Sequence, residues 1–295
     1  MRLDLELLKG ACDLHAHSGP ALFPRPWDHI EAAKNARDYG MKAMVFKIHH
    51  EGTAGRAQLV RKVLSGIEVF GGLVLNQTVG GLNPLAVETA IGYGAKIIWG
   101  PTVHALNHMK HYGGEDYGVM FKLQKKRPRT TPIEGISIPT EGEFPPNLAD
   151  ILGLIADADI ALATTHFTFP EIKRLVTEAK KMGVKKIIVN HPLQDVPDLT
   201  LEQIIELAEM GCYIEFVYAT LSAMAAMTVT IDEAAECIRK VGPEHCIIGS
   251  DCGQTSNPTH AEGIRIYIQL LLERDFSEGE IETMVSKNPS KILSI

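Results

Sequence analysis

The stretch CDLHAHSGP places His15 and His17 two residues apart at the end of an apolar run. In an extended strand, side chains at i and i+2 share a face with Cα atoms roughly 6.6 Å apart, so both imidazoles can reach one ion in front of the strand end. A neutral imidazole offers a nitrogen lone pair, and first-row divalent metals accept three or four N or O donors while leaving a position for water. A lone His-x-His pair is more often two surface or core histidines. This pair has company: His166 in ALATTHFTFP, His191 in IIVNHPLQD and Asp251 in CIIGSDCGQ each follow an apolar run directly and precede a turn. Lys47 and His49 close KAMVFKIHH in the same way, and Glu215 lies within CYIEFV. Taken singly, Asp251 could cap the next segment, His191 could satisfy a backbone carbonyl and His166 could be a core histidine. A desolvated, unpaired Asp would be costly, and the recurrence of ligand-type residues at run ends favours a shared site.

What must position them is a repeated unit. Eight short apolar runs, at 11–17, 42–48, 68–75, 95–99, 159–165, 185–190, 212–217 and 245–250, alternate with amphipathic helical patterns. Capping-box spacing marks helix starts at Thr168/Glu171, Thr200/Gln203, Thr230/Glu233 and Ser277/Glu280, and Gly40, Gly94, Gly183, Gly211 and Gly242 mark left-handed stops. Eight βα units without a composition break predict a (β/α)8 TIM barrel as a single domain over 1–295, with catalytic residues at the C-terminal ends of its strands. The irregular region at about 103–145 is too long for a plain βα loop and predicts a loop or hairpin insertion after strand 4. It holds His104, His108, His111, the basic run Lys122, Lys125, Lys126, Arg127 and Arg129, and the Pro/Gly-rich PIEGISIPTEGEFPPN.

Composition narrows the partners. With 45% hydrophobic residues there is ample material for a large core, and a net charge of -7 argues against the basic field that nucleic acid or an anionic membrane requires. A small-molecule substrate is expected, and the basic run reads as a solvated face or a loop near an anionic substrate. Five cysteines without a CxxC pair fit reduced, buried thiols, and MRLDLELLKG lacks the apolar core of a signal peptide, so a cytoplasmic location is expected. TLSAMAAMTV could supply a homo-oligomer interface or equally a buried core helix.

The order of His-x-His on strand 1, His on strands 5 and 6 and Asp on strand 8 resembles the amidohydrolase superfamily of metal-dependent hydrolases, spread over the whole chain. CIIGSDCGQ, followed by FSEGEIETMVSKNPSKIL with Asn288 in a terminal Asn motif, is similar to the closing segment of the amidohydrolase-related branch. The resemblance implies that His15, His17, His166 and Asp251 bind a divalent metal, and that His191 either joins a second metal or contacts substrate. It also implies that Asp251 takes and returns the proton of a metal-activated water, while His191 polarises the substrate oxygen as charge develops. Zinc is the first expectation, with manganese and iron as alternatives for such a donor set.

One departure bears on metal number. Binuclear members commonly carry a Lys, often carbamylated, or a Glu at the end of strand 4, and AKIIWGPTVHALNH offers neither there. One ion is therefore expected rather than two, with His104 the available stand-in. Lys47 shares strand parity with Ala43, Val45 and His49 and has three readings: a structural lysine, a cation for an anionic substrate, or a carbamylated bridge from strand 2. In SGPALFPRPWD, Pro26 and Asp28 read as helix-entry chemistry, with Arg25 as a ligand for a substrate carboxylate the alternative. NQTVGGLNP reads as a turn into a helix at Asn83 rather than a phosphate cradle. Substrate contacts are thus expected from Lys47, His49, Arg25 and His104. The leading expectation is a hydrolase of an amide, lactone or ester; a non-oxidative decarboxylase on the same metal set and a catalytically inactive binding barrel are the rivals.

Overall fold

The computed structural model describes residues 2–117, 132–222 and 229–295; the basic run and residues 223–228 of TLSAMAAMTV lie outside them. Each apolar run forms a strand: β1 Cys12–Ala16, β2 Ala43–Phe46, β3 Glu68–Val74, β4 Ile97–Trp99, β5 Ala161–Ala163, β6 Lys186–Asn190, β7 Tyr213–Val217 and β8 Cys246–Gly249. They pair in parallel in sequence order as an eight-stranded sheet. The seam between β8 and β1 is closed by Asp251 N–H donating to the His15 carbonyl at 2.9 Å and His17 N–H to the Cys252 carbonyl at 2.9 Å. The molecule is a (β/α)8 barrel, and its closing bonds are made by the backbone of three of the expected site residues.

Strand parity sorts the apolar side chains. Leu14, Val45, Val74, Ile97, Trp99, Ile188 and Ile247 fill the barrel interior, whereas Met44, Phe46, Ile98, Leu162, Val189 and Ile214 join the larger layer beneath the helices. Both faces of a parallel barrel strand are buried, which is why the runs are continuously apolar rather than alternating. β1 breaks its own parity: the register with β2 shifts between Asp13 and Ala16. Leu14 therefore packs in the interior and the adjacent His15 also reaches the mouth, a reorientation typical of a bulge.

Helix boundaries follow the local chemistry. The four expected capping boxes form at the starts of α7 Phe169–Lys181, α8 Leu201–Glu209, α9 Ile231–Val241 and α11 Glu278–Glu282. A further one, Asp28 with Glu31, starts α2 His29–Asp38, so Pro26 lies outside the helix rather than in its first turn. Asn83 caps α4 Pro84–Gly92 as the turn reading requires. Gly242 differs from the other stops: its φ of 92° is positive, but its ψ of 132° is extended, because a short 3-10 turn follows at once.

The β4–β5 connection is the insertion. Before the barrel helix α6 Pro146–Asp157 it carries α5 Leu106–Tyr112, clamped by Leu106 N–H to the Ile136 carbonyl at 2.8 Å and Ile136 N–H to the His104 carbonyl at 2.7 Å. At the opposite end of the barrel, Asn288 Nδ2 donates to the carbonyls of Pro243 at 2.9 Å and Cys246 at 2.8 Å, docking the C-terminal helix Asn288–Leu293 below β8. All five cysteines are free and buried. Among the described residues no helix is long and apolar enough to cross a membrane.

Candidate metal centre and active site

The C-terminal ends of the strands open into a pocket. It is lined by His15, His17, Lys47, His49, His166, His191 and Asp251 from the strand ends, with Tyr112 from α5 and Arg25, Tyr117, Gln194 and Gln254 from loops. Of the expected contacts only His104 is not in the lining; it is fully buried and its Nε2 pairs with Glu115 Oε2 at 3.0 Å.

Donor atoms of His15, His17 and Asp251 lie within 4.8 Å of one another. The proton positions in this group follow from its neighbours. His17 Nδ1 sits 2.9 Å from the Lys47 carbonyl, which can only accept, so Nδ1 carries the proton and Nε2 is bare. His15 Nδ1 faces Glu215 at 2.9 Å; the ionised carboxylate accepts the Nδ1 proton and leaves Nε2 bare, and the Lys47 ammonium 2.9 Å from Nε2 requires the same tautomer. Burial pushes both rings far toward the neutral form, His15 to about 3 and His17 well below the usual imidazole value. Asp251 Oδ1 nevertheless lies 3.0 Å from His17 Nε2 and 3.2 Å from His15 Nε2. Three electron-pair donors turned on one point repel unless positive charge lies among them; the Lys47 ammonium, 2.9 Å from His15 Nε2, supplies part of it here, and a divalent ion is the species that all three donors together fit. Glu215 and the Lys47 carbonyl then supply the outer hydrogen bonds that orient metal-binding histidines.

The backbone at this mouth is strained. Thr165, His191 and Asp251 follow β5, β6 and β8 and have positive φ of 54°, 29° and 48°. Such conformations cost roughly 1–3 kcal/mol each in non-glycine residues and collect at functional sites. Gly253 has φ of 119°, and a Cβ there would stand 1.8 Å from the His17 carbonyl oxygen, so only glycine lets the β8 loop pass behind His17. Buried Asp13 braces the same seam, accepting from His15 N–H, Ser250 N–H and the Ser250 hydroxyl.

His166 and His191 sit side by side in the pocket, ring centroids 5.3 Å apart, and His191 lies 5.8 Å from His15. His166 falls outside the tight three-residue group, its Nδ1 turned to His108 Nδ1 at 3.0 Å. Among the described residues, buried His191 Nδ1 has no hydrogen-bond partner. Burial lowers the His191 pKa to about 4, so the ring is neutral at pH 7.

Lys47 follows the inward parity of Ala43 and Val45; its Nζ lies 2.9 Å from His15 Nε2 and 5.6 Å from the Trp99 ring centroid. Trp99, at the end of β4, stands where the acidic or carbamylated strand-4 residue was absent from the sequence. Burial draws the Lys47 pKa down to about 8, against the attraction of Asp251 and Glu215. Arg25 lies across the same pocket, its pKa lowered to about 10 by burial, so both cations are largely charged at pH 7. His49 stacks on His17 at 4.8 Å and pairs through Nδ1 with Thr102 Oγ1 at 2.9 Å. Asn76 fixes that pair, donating to Thr102 Oγ1 at 2.8 Å while its own Oδ1 accepts from Thr102 N–H.

Sequence reasoning noted Glu215 without a role and missed Tyr117, Asn76 and Asn190, whose Nδ2 donates to Glu215 Oε2 at 2.7 Å. A carboxylate within an otherwise apolar strand was the available signal for Glu215; Tyr117 lies in the insertion and carried none.

A family model described as a family of unknown function, DUF6282, matches residues 10–215. The chain belongs to the DUF6282 family. The matched span of this DUF6282 chain runs from the start of β1 to Glu215 in β7, so it includes both histidines of the pair, Lys47, His166 and His191. No curated protein matches the chain. Solved structures share its fold: an amidohydrolase from Pseudomonas aeruginosa is 14% identical with a TM-score of 0.62, covering 98% of each chain. A putative 2-pyrone-4,6-dicarboxylic acid hydrolase from Pseudomonas putida is 13% identical with a TM-score of 0.56 over 97% of each chain. A 2,6-dihydroxybenzoate decarboxylase from Rhizobium is 10% identical with a TM-score of 0.53, over 97% of this chain and 99% of that one.

Proposed function

We propose that the chain is a metal-dependent hydrolase of the amidohydrolase type, acting on an amide, lactone or ester of an anionic small molecule. The observation that carries this reading is the convergence of two bare imidazole nitrogens and a carboxylate oxygen on one point at the barrel mouth. His15, His17 and Asp251 would hold a divalent ion, zinc first, with His166 as the further donor. Such an ion supplies Lewis acidity and a water whose pKa is lowered toward about 7. Asp251, which holds an oxygen at the site and opens on the pocket, takes and returns the proton of the attacking water. Neutral His191 stands ready to polarise the substrate oxygen as negative charge develops. Arg25 and Lys47 supply the positive field that orients an anionic group.

A second reading, non-oxidative decarboxylation of an aromatic acid, is favoured by a specific feature: the two cations share the pocket with Tyr117, whose ring packs against Phe23 at 5.9 Å. A flat carboxylic acid is the substrate that paired cations beside an aromatic ring would suit. The test is a panel of lactones, esters, amides and aromatic acids assayed for both acid release and carbon dioxide release. Hydrolytic turnover that stops on chelation and returns with added Zn²⁺ or Mn²⁺ supports the hydrolase; metal-dependent carbon dioxide release alone supports the decarboxylase. Turnover that survives complete metal removal overturns both.

A further inference from the structure

The insertion after β4 places one imidazole behind His166. His108, on α5, has Nε2 3.1 Å from the Asp116 backbone carbonyl and Nδ1 3.0 Å from His166 Nδ1. The carbonyl can only accept, so in the neutral ring the His108 proton sits on Nε2 and its Nδ1 is a bare acceptor. The hydrogen between the two rings therefore belongs to His166 Nδ1. That leaves His166 Nε2 bare, and among the described residues this atom makes no hydrogen bond. The His108 ring has little freedom to turn: it stacks on His166 at 5.0 Å and 19°, and Tyr112 and Tyr117 close on it at 4.8 and 4.9 Å.

We propose that His108 is a positioning residue that fixes His166 as a lone-pair donor toward the pocket, making the insertion part of the metal site's assembly. The proposal rests on the metal reading above. The device repeats what Glu215 does for His15 and the Lys47 carbonyl does for His17, with one difference. Glu215 lies in β7 and Lys47 directly follows β2, whereas His108 and Asp116 belong to the insertion, so the third imidazole is set by a segment outside the barrel strands. Without His108, His166 can adopt the other tautomer and turn an N–H toward the ion, which cannot coordinate.

The test uses the full chain, stripped of metal and titrated with Zn²⁺ against a chromophoric chelator, with Co²⁺ substitution read by visible absorption. His108→Phe keeps the ring stack and removes both nitrogens; it is expected to weaken Zn²⁺ binding about 10–100-fold and to alter the Co²⁺ spectrum. His108→Asn offers an amide oxygen to His166 Nδ1–H and is expected to recover most of the loss, which a purely structural role would not produce. Wild-type affinity and an unchanged Co²⁺ spectrum in His108→Phe overturn the proposal. If that variant does not fold, His108→Leu against His108→Asn makes the same comparison, with equal affinities overturning it. A wild-type chain that binds neither ion overturns the metal reading itself.

Discussion

Acidification of the metal-free protein from pH 7 to pH 5 is expected to remove much of its stability. Burial holds His15 at about 3 and His29, His108 and His191 at about 4, against 6.5 for an ordinary imidazole. The unfolded chain takes up protons that the folded chain refuses, so stability is full above about pH 6.5 and falls as the pH drops toward the folded values. At pH 5 each of these groups has withdrawn about 2 kcal/mol. Glu215 acts in the opposite direction. Its burial raises it from 4.5 to about 7, so the folded chain gains a proton first and recovers about 2 kcal/mol over the same interval. The net loss is about 6 kcal/mol, against a total of about 5–15 kcal/mol for a typical protein. His17, His49 and His166, also pushed well below the usual value by burial, add to it with the same sign. Urea unfolding of chelated protein at pH 7, 6 and 5, followed by far-UV circular dichroism, measures this directly. His191→Gln should reduce the dependence by up to one proton, about 1.4 kcal/mol per pH unit. A stability that changes by less than about 1 kcal/mol between pH 7 and pH 5 would refute the burial argument.

Three further outcomes follow from the same geometry. Gly253→Ala is expected to cost about 1–3 kcal/mol in backbone strain and to displace His17 as well, so it should lose metal while retaining barrel-like circular dichroism; normal metal content would show that the loop can relax. Glu215→Gln replaces the charged acceptor of His15 Nδ1–H and should weaken Zn²⁺ binding about tenfold, measured by chelator competition, with an unchanged affinity counting against an orienting role. Lys47→Met should raise KM for an anionic substrate at least about tenfold with metal content fixed, as loss of one charge-assisted contact requires. Loss of an ion in that variant would instead point to a carbamylated bridge.

Much of the fold was legible because a barrel strand buried on both faces must be continuously apolar, and because caps such as Thr200 with Gln203 are local chemistry. The strand-end positions of His15, His17, His191 and Asp251 were legible for the same reason: each polar residue stops an apolar run. What escaped depended on contacts distant in sequence. Nothing near Glu215 says that it faces His15, and nothing near His108 says that it backs His166. The shift in β1 that brings both Leu14 and His15 inward is set by pairing with β2 and by Asp13 bonding across to Ser250, which simple alternation along CDLHAH does not contain. His104, the available stand-in for strand 4, lies several residues past β4, and the fold pairs it with Glu115 inside the insertion.

The most direct test of the central claim is metal content per chain by elemental mass spectrometry, on protein purified without chelators or a histidine tag. About one divalent ion in the wild type is expected, absent from His17→Ala and Asp251→Ala and retained in Lys47→Met, as ligands to a single mononuclear site require. A wild-type chain without bound metal, or full occupancy in both ligand variants, would contradict the account.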